Sequence, residues 1–332
     1  MKAFVTGSTG LLGNNLTRLL VARGYEVKAL TRSLEKANKI FPDLPVTFVL
    51  GDMQNIDGFA EELNGCDVLF HCAAYFMEYY QPGDRWPMLE AINIKGTVKL
   101  LEVAERQGIK KVIYVSSSGV IGKSPDGTPA DETIPASGIS HTNLYKLSKV
   151  LAEEAVYDFL KDSSLSVVFI LPGWIFGPGD ISPTSSGQLV LDLLGKKMRG
   201  IIPGGVNMVD ARDVGQIMIN AVEKGKSGDR YLAAGHHLSI KTVMETFNLV
   251  TGIPIPKRQI PYFLLRLSAF LRKNYARLTK NQMSIFLPGI ETVRADITLS
   301  SEKAIRELDA TFRPFEETMR DEVAWFRDNG YV

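Results

Sequence analysis

The chain has 332 residues, 45% of them apolar, which is enough to bury a large core in one large or two closely joined domains. Its 38 basic and 37 acidic side chains nearly cancel, so whole-chain charge argues for neither a nucleic-acid nor a membrane partner. The two cysteines, Cys66 and Cys72, have no CxxC spacing and no metal-ligand cluster around them, which predicts a reduced cytoplasmic protein without a bound metal. Residues 1–5 are too few for the apolar core of a signal peptide, so the amino terminus is expected to belong to the fold.

Taken in chain order, short apolar runs at 2–6, 26–31, 46–50, 67–71, 111–116 and 166–171 alternate with helical stretches. That rhythm predicts an α/β fold with six buried strands in a doubly wound parallel sheet. Between the first two runs lies Gly7-Ser8-Thr9-Gly10-Leu11-Leu12-Gly13, followed to Arg23 by leucines at helical spacing. A helix that starts at a glycine turn aims free backbone N–H groups and the positive end of its dipole at an anion, as a dinucleotide pyrophosphate requires. The spacing is GxxGxxG rather than the commoner GxGxxG, and its strand-to-helix setting carries the reading. The other strand ends carry Thr31-Arg32-Ser33, Gly51-Asp52-Met53, His71-Cys72-Ala73-Ala74, Ser116-Ser117-Ser118 and Pro172-Gly173-Trp174. Ligands of open parallel sheets bind along that edge.

Asn143 to Leu160 has helical periodicity, and the i, i+4 spacing of Tyr145 and Lys149 puts both on one face. A phenol with a pKa near ~10 is a slow base at neutral pH, but an adjacent ammonium favours the phenolate. Tyr145 can then pass a proton to or from a carbonyl oxygen. After about residue 172 the alternation weakens. Gly- and Pro-rich loops at 177–187 and 203–205 and a helical tail over 239–330 predict a smaller substrate-capping region. The expected division is a dinucleotide-binding domain over 1–172, completed by 206–235, with 173–205 and 236–332 forming the cap.

These motifs occur in order with Asn93-x-x-Gly96-Thr97, Pro172-x-x-Ile175-x-Gly177-Pro178 and Val209-Asp210-x-x-Asp213-Val214. Together they resemble the extended short-chain dehydrogenases/reductases of the NAD-dependent epimerase/dehydratase superfamily over nearly the whole chain. The pattern around Asn207-Met-Val-Asp210, Gly228-Asp-Arg-Tyr231 and Glu307-Leu308 is most similar to the dihydroflavonol-reductase-like branch. The resemblance implies a Rossmann fold and a catalytic set of Ser117, Tyr145 and Lys149, with Ser117 chosen because it lies five residues before Gly122 and Ser118 as the alternative. It further implies that Gly7 to Gly13, Asp52, Met53, Ala73, Ala74, Ser116, Tyr145, Lys149, Pro172, Gly173 and Ile175 line the cofactor, with Lys149 also on the nicotinamide ribose. Many relatives dimerise through paired helices, so a homodimer is left open by analogy.

The cofactor choice turns on Leu30-Thr31-Arg32-Ser33, which has no acid before Glu35 to accept from a ribose 2′-hydroxyl. Arg32 can instead hold a 2′-phosphate with two hydrogen bonds, which favours NADP(H) over NAD. Ser117-Ser118-Gly119 stands where dehydratases of the superfamily carry Thr-Asp-Glu, and Asn207 stands near where nucleotide-sugar enzymes place a diphosphate-binding arginine. Reduction of a ketone or aldehyde, or oxidation of the alcohol, is therefore expected. A nucleotide-sugar epimerase and an NADP-binding regulator without turnover are the alternatives.

Ser118, Tyr75, Met77 and Trp174, with other aromatics from Phe76 to Tyr80, Trp86 and Phe176, suggest an apolar wall for a hydrophobic substrate. Arg212, His141, His236 and His237 show no interpretable partner, so solvated or packing roles are expected for them. Thr246 to Ile290 contains no acid but carries Lys257, Arg258, Arg266, Arg272, Lys273, Arg277 and Lys280 around Tyr262-Phe-Leu-Leu265. A lid is the favoured reading, with Tyr262, Phe263 and Leu267 capping the substrate and the cations outward. A contact with anionic lipid and a wall for an anionic substrate are the others.

Overall fold

The computed structural model describes residues 1–76, 84–136, 143–265, 267 and 287–332. Its main sheet has seven parallel strands: β1 (Lys2–Thr6), β2 (Glu26–Thr31), β3 (Val46–Leu50), β4 (Val68–His71), β5 (Lys111–Val115), β6 (Ser166–Pro172) and, seventh in the sheet, Arg230–Ala233. A second sheet has three strands, β7 (Trp174–Phe176), β8 (Gly205–Asp210) and β10 (His236–Ser239), so Arg230–Ala233 is β9. The main order is β3-β2-β1-β4-β5-β6-β9, and the chain reverses direction across the sheet between β1 and β4.

The apolar runs are strands because alternate side chains fill opposite layers. Phe4 packs with Leu69 and Val112 on one face, and Ala3 and Val5 with Val68, Phe70 and Ile113 on the other. Each large side chain buried this way contributes about 1.5–3 kcal/mol. Two expectations need correction. β3 is an edge strand with Thr47 and Leu50 exposed, since only β2 flanks it. The sheet also gains β9, whose four residues pair with β6 through Ile170 and Tyr231.

Helices α1 (Leu11–Ala22), α2 (Leu34–Ile40), α3 (Trp86–Leu89), α4 (Gly96–Arg106), α5 (Leu144–Phe159) and α7 (Ala211–Lys224) accompany the main sheet, while α6 (Ser185–Leu194) and α8 (Ile240–Thr251) follow strands of the smaller one. Last come α9 (Leu287–Ala295), α10 (Glu302–Leu308) and α11 (Phe315–Asp328). A third core joins Phe176, Met208, Phe247, Phe315 and Phe326 around the smaller sheet. No helix among the described residues is long and apolar enough to cross a membrane.

Candidate active site

The carboxyl ends of β1 and β4 meet at the glycine turn. Gly7 has φ +68°, and a Cβ there would lie 2.7 Å from the Ala73 amide nitrogen. A Cβ on Gly13 would lie 2.1 Å from the Gly7 carbonyl oxygen, so α1 can start this close to the turn only with glycine there. Gly10 is different: it is exposed, and a Cβ would meet only the Gly7 oxygen at 3.4 Å. Gly10 is also the N-cap of α1, with no side-chain cap and no acid in the first turn. The helix end is a bare, positive cradle that fits a pyrophosphate. Ser8 contributes only backbone to it, because its buried hydroxyl donates to the Leu30 carbonyl at 2.8 Å. Thr9 is half-buried, and the Leu11 and Leu12 side chains are buried.

Around this turn, Arg32 at the end of β2 is exposed, and the neighbouring charge helps burial lower the Lys36 pKa. Asp52 is half-buried and accepts from the Gln54 amide at 2.8 Å, and Met53 is buried beside Gly96. Ala73 and Ala74 are half-buried after β4. At the far side Pro172 ends β6, and Gly173 allows the Asn207 and Ala234 carbonyls to approach where a Cβ would lie 2.6 and 2.7 Å from them. Ile175 lies in β7 and pairs with Val209.

The floor beneath the glycine turn is a chain of hydrogen bonds whose direction can be deduced. Thr97 Oγ1 donates to the Asn93 carbonyl at 2.8 Å, so it accepts from His71 Nε2 at 3.1 Å. His71 Nδ1 is then the acceptor of Thr6 Oγ1 at 2.8 Å, and Thr6 Oγ1 accepts from the Ala73 amide. Burial pushes the His71 pKa down to about 3, with Lys149 adding to the shift, so the ring is neutral and this tautomer persists across the working pH range. Asn93 sits in a π-helical turn, Glu90–Lys95. Its amide nitrogen donates to the Tyr75 carbonyl and Ser148 Oγ, and its oxygen accepts from the Tyr75 amide. Ser148 Oγ donates to the Tyr145 carbonyl at 2.8 Å. One polar network thus ties β1, β4, the π-turn and α5.

Asn143 caps α5 by accepting from the Lys146 amide at 3.0 Å, which fixes where the helix begins and the side on which Tyr145 and Lys149 lie. Tyr145 is half-buried, its ring edge-on to Phe76 at 4.7 Å. Lys149 is only 2% exposed; its Nζ donates to the Val115 carbonyl at 2.9 Å and lies 5.2 Å from the centre of the Tyr114 ring. Burial pulls its pKa down to about 8, opposed by Glu153 and Cys72. Ser117 caps the short turn Ser118–Val120 by accepting from the Gly119 amide at 3.1 Å, and both Ser117 and Ser118 are half-buried beyond β5.

Sequence reasoning missed Glu153, which follows Lys149 by one helical turn and is 6% exposed. Ser116 Oγ donates to Glu153 Oε1, and Arg230 Nε stands 3.3 Å from Oε2. Burial raises the Glu153 pKa against Arg230, Ser116 and Lys149. Only its i+4 spacing from Lys149 hinted at this, because the Arg230 partner comes from β9.

Tyr75 is buried, and the Trp174 indole N–H donates to Ser185 Oγ at 3.1 Å with its ring edge against Phe176. Met77, Glu78, Tyr79, Tyr80 and His141 lie outside the described residues. Three residues expected to lack interpretable partners have them. Arg212 forms a two-pronged pair with Asp210 and reaches Asp321 at 2.6 Å, His236 Nε2 meets the Arg313 carbonyl, and His237 meets Asp296. Of the residues expected to cap the substrate, Phe263 is 67% and Leu267 50% exposed, and Tyr262 lies under the Arg294 guanidinium at 3.9 Å.

Residues 3–234 match the model of the NAD dependent epimerase/dehydratase family. The chain is 31% identical to the "Putative dihydroflavonol 4-reductase" of Synechocystis, covering 99% of this chain and 95% of that protein. It is 30% identical to sterol demethylase protein B of Methylococcus capsulatus over the full length of both. The solved structure of gox2253 superposes with a TM-score of 0.84 at 30% identity, covering 99% of each chain.

Proposed function

Because this chain belongs to the NAD-dependent epimerase/dehydratase family and is an NAD(P)-dependent oxidoreductase, we propose that it reduces a hydrophobic ketone or aldehyde, or oxidises the alcohol, with NADP(H). The observation that carries this reading is Tyr145 and buried Lys149 one turn apart on α5, with Lys149 fixed to the end of β5 on the edge that carries the bare glycine cradle. When bound, the nicotinamide supplies or accepts the hydride. In reduction the Tyr145 hydroxyl donates its proton to the carbonyl oxygen; in oxidation its phenolate takes the proton of the alcohol. The Lys149 ammonium favours the phenolate and binds the ribose. Ser117, already accepting from Gly119, keeps its own proton to donate to the reacting oxygen.

Gly7 to Gly13 hold the pyrophosphate, Asp52 and Met53 the adenine, and exposed Arg32 the 2′-phosphate. Ala73, Ala74, Pro172, Gly173 and Ile175 flank the nicotinamide side, and Tyr75, Ser118 and Trp174 face the substrate. Residues 1–172 with 206–235 form the cofactor unit, and 173–205 with 236–332 the cap. A reductase is favoured over a nucleotide-sugar epimerase because Asn207 is a staple, not an anchor. Its amide nitrogen donates to the Ile297 carbonyl at 2.7 Å, and its oxygen accepts from the Leu299 amide. The names of the relatives, a dihydroflavonol reductase and a sterol-demethylating protein, support a ring-bearing substrate.

The test is NADPH and NADH oxidation with a panel of ketones, aldehydes and nucleotide sugars. Turnover of hydrophobic carbonyls is expected, and turnover of nucleotide sugars alone would overturn the reading. Arg32→Asp should move the NADPH-to-NADH ratio of kcat/KM about a hundredfold toward NADH, from a lost charge-assisted contact plus repulsion. An unchanged ratio would show that Arg32 does not read the phosphate.

A further inference from the structure

Two stretches of sequence without a single acid, 193–209 and 246–290, meet in the fold. Ile201 and Gln259 form a parallel bridge, with the Ile201 amide donating to the Arg258 carbonyl and the Ile260 amide to the Ile201 carbonyl, both at 2.9 Å. Beside this bridge opens a cleft of 310 Å³ lined by Leu193, Lys196, Met198, Arg199, Ile255 and Pro256. Lys196, Lys197, Arg199, Lys257 and Arg258 are all exposed, and none forms a side-chain hydrogen bond or ion pair with a described residue. Some exposed cations elsewhere are matched, as Lys99 is by Asp57, Lys161 by Asp158, Lys224 by Asp309 and Arg320 by Glu316, and others, such as Lys39, Lys110 and Lys226, stand singly, whereas these five gather in two stretches that meet in the fold. Next to the unmatched cations, just past Ile260, Phe263 and Leu264 stand exposed.

We propose that this face, with Lys196, Arg199, Lys257 and Arg258 around the cleft and Phe263 and Leu264 beside it, docks on an anionic lipid bilayer. The charge is complementary: each cation held near an anionic surface strengthens binding about fivefold, over distances within the screening length. The exposed phenyl and leucyl groups complete the pattern, since an interfacial site pairs cations that meet headgroups with apolar side chains that enter the acyl boundary. A small soluble anion would engage one or two of these cations and leave Phe263 in water. The near-neutral total charge conceals the patch, because the acids that balance it lie elsewhere in the chain. The proposal is independent of the substrate reading, because vesicle binding requires no turnover.

The experiment is co-sedimentation of the full chain with vesicles of phosphatidylcholine alone and with 3:7 phosphatidylglycerol to phosphatidylcholine, a composition of about one-third anionic lipid, at low and high salt. Binding is expected only to the anionic vesicles, and it should weaken at least tenfold at high salt. The triple substitution Lys196→Gln, Arg199→Gln and Lys257→Gln should lower partitioning about a hundredfold, and Phe263→Ser about tenfold. Melting temperature should stay at the wild-type value in both variants, and turnover of a water-soluble aldehyde should stay at the wild-type value in the triple variant. Absence of binding to anionic vesicles, equal binding to neutral ones, or undiminished binding by the triple variant would overturn the proposal. So would a triple variant that binds vesicles normally but loses turnover, which would make the face an anionic-substrate wall.

Discussion

Two of the buried polar regions among the described residues are built on opposite principles. At the edge of the main sheet, Thr6, His71, Thr97, Asn93 and Ser148 form a neutral relay in which the donors and acceptors found can be ordered without ambiguity. Around the smaller sheet the buried polar groups include four carboxyls: Asp180, Asp210, Asp213 and Glu322. Arg212 and Arg313 neutralise Asp210 and Asp213, while Glu322 only accepts from the Gly177 amide at 3.1 Å, its Oε1 without a partner. Asp180 accepts from the Thr184 amide and hydroxyl, and burial pushes its pKa up to about 6. A neutral network holds its geometry at any working pH, whereas buried charge makes the packing of the smaller sheet depend on pH.

Lys149 is the one charged group set against the neutral relay, and removing it should have the largest effect. Lys149→Met should lower kcat/KM about a thousandfold, since both the ribose contact and the support of the phenolate disappear. In the wild type the ammonium is lost as pH rises through about 8, so reductive kcat/KM should fall above that pH. A rate that stays flat to pH 10, measured by stopped-flow NADPH oxidation, would remove Lys149 from the proposed chemistry.

His71→Leu comes next. It leaves Thr6 without its acceptor and Thr97 without its donor, at a cost of about 2–4 kcal/mol for two broken buried contacts. Because His71 is neutral down to about pH 3, the loss should be the same at pH 6 and pH 8. Denaturant titrations at the two pH values check this, and a loss confined to one of them would break the contrast between the regions.

The smallest effect is expected at Glu322. Its pKa is raised by burial and then by Asp180, so the stability linked to its proton is full below the ordinary carboxylate range and is lost as pH rises through the raised value. Asp180 has the same sign, with its contribution lost as pH rises through about 6. Glu322→Gln keeps an acceptor for Gly177 and cannot ionise. Its melting temperature should exceed wild type by about 1–2 °C at pH 9, roughly 1 kcal/mol, with the gap closing as pH falls toward the ordinary carboxylate range. A variant less stable than wild type at pH 9 would show that the Glu322 charge is favourable.

Much of the main sheet was legible because parallel strands covered on both faces are continuous apolar runs, and because the glycine turn and the Tyr145–Lys149 spacing are local patterns. What was not legible depends on distant partners. Arg230-Tyr-Leu-Ala is too short a run to declare a strand, yet β6 recruits it, and with it comes the Arg230 that meets Glu153. The edge position of β3 follows from strand order, which no local run encodes. Of the two partners of Arg212, Asp210 stands only two residues before it and was within reach of the sequence, whereas Asp321 lies 109 residues away. The run Tyr262 to Leu265 reads as buried or exposed according to what covers it, and the fold leaves Phe263 uncovered.

The central claim is that Tyr145 moves the proton while the cofactor is held by other groups. Its most direct test compares Tyr145→Phe with wild type in two measurements on one preparation, NADPH binding by fluorescence titration and single-turnover oxidation of bound NADPH by a carbonyl substrate. The account predicts an NADPH Kd within about threefold of wild type and a rate lowered by about 10²–10⁴. A Phe variant that binds NADPH normally and oxidises it at the wild-type rate would contradict it.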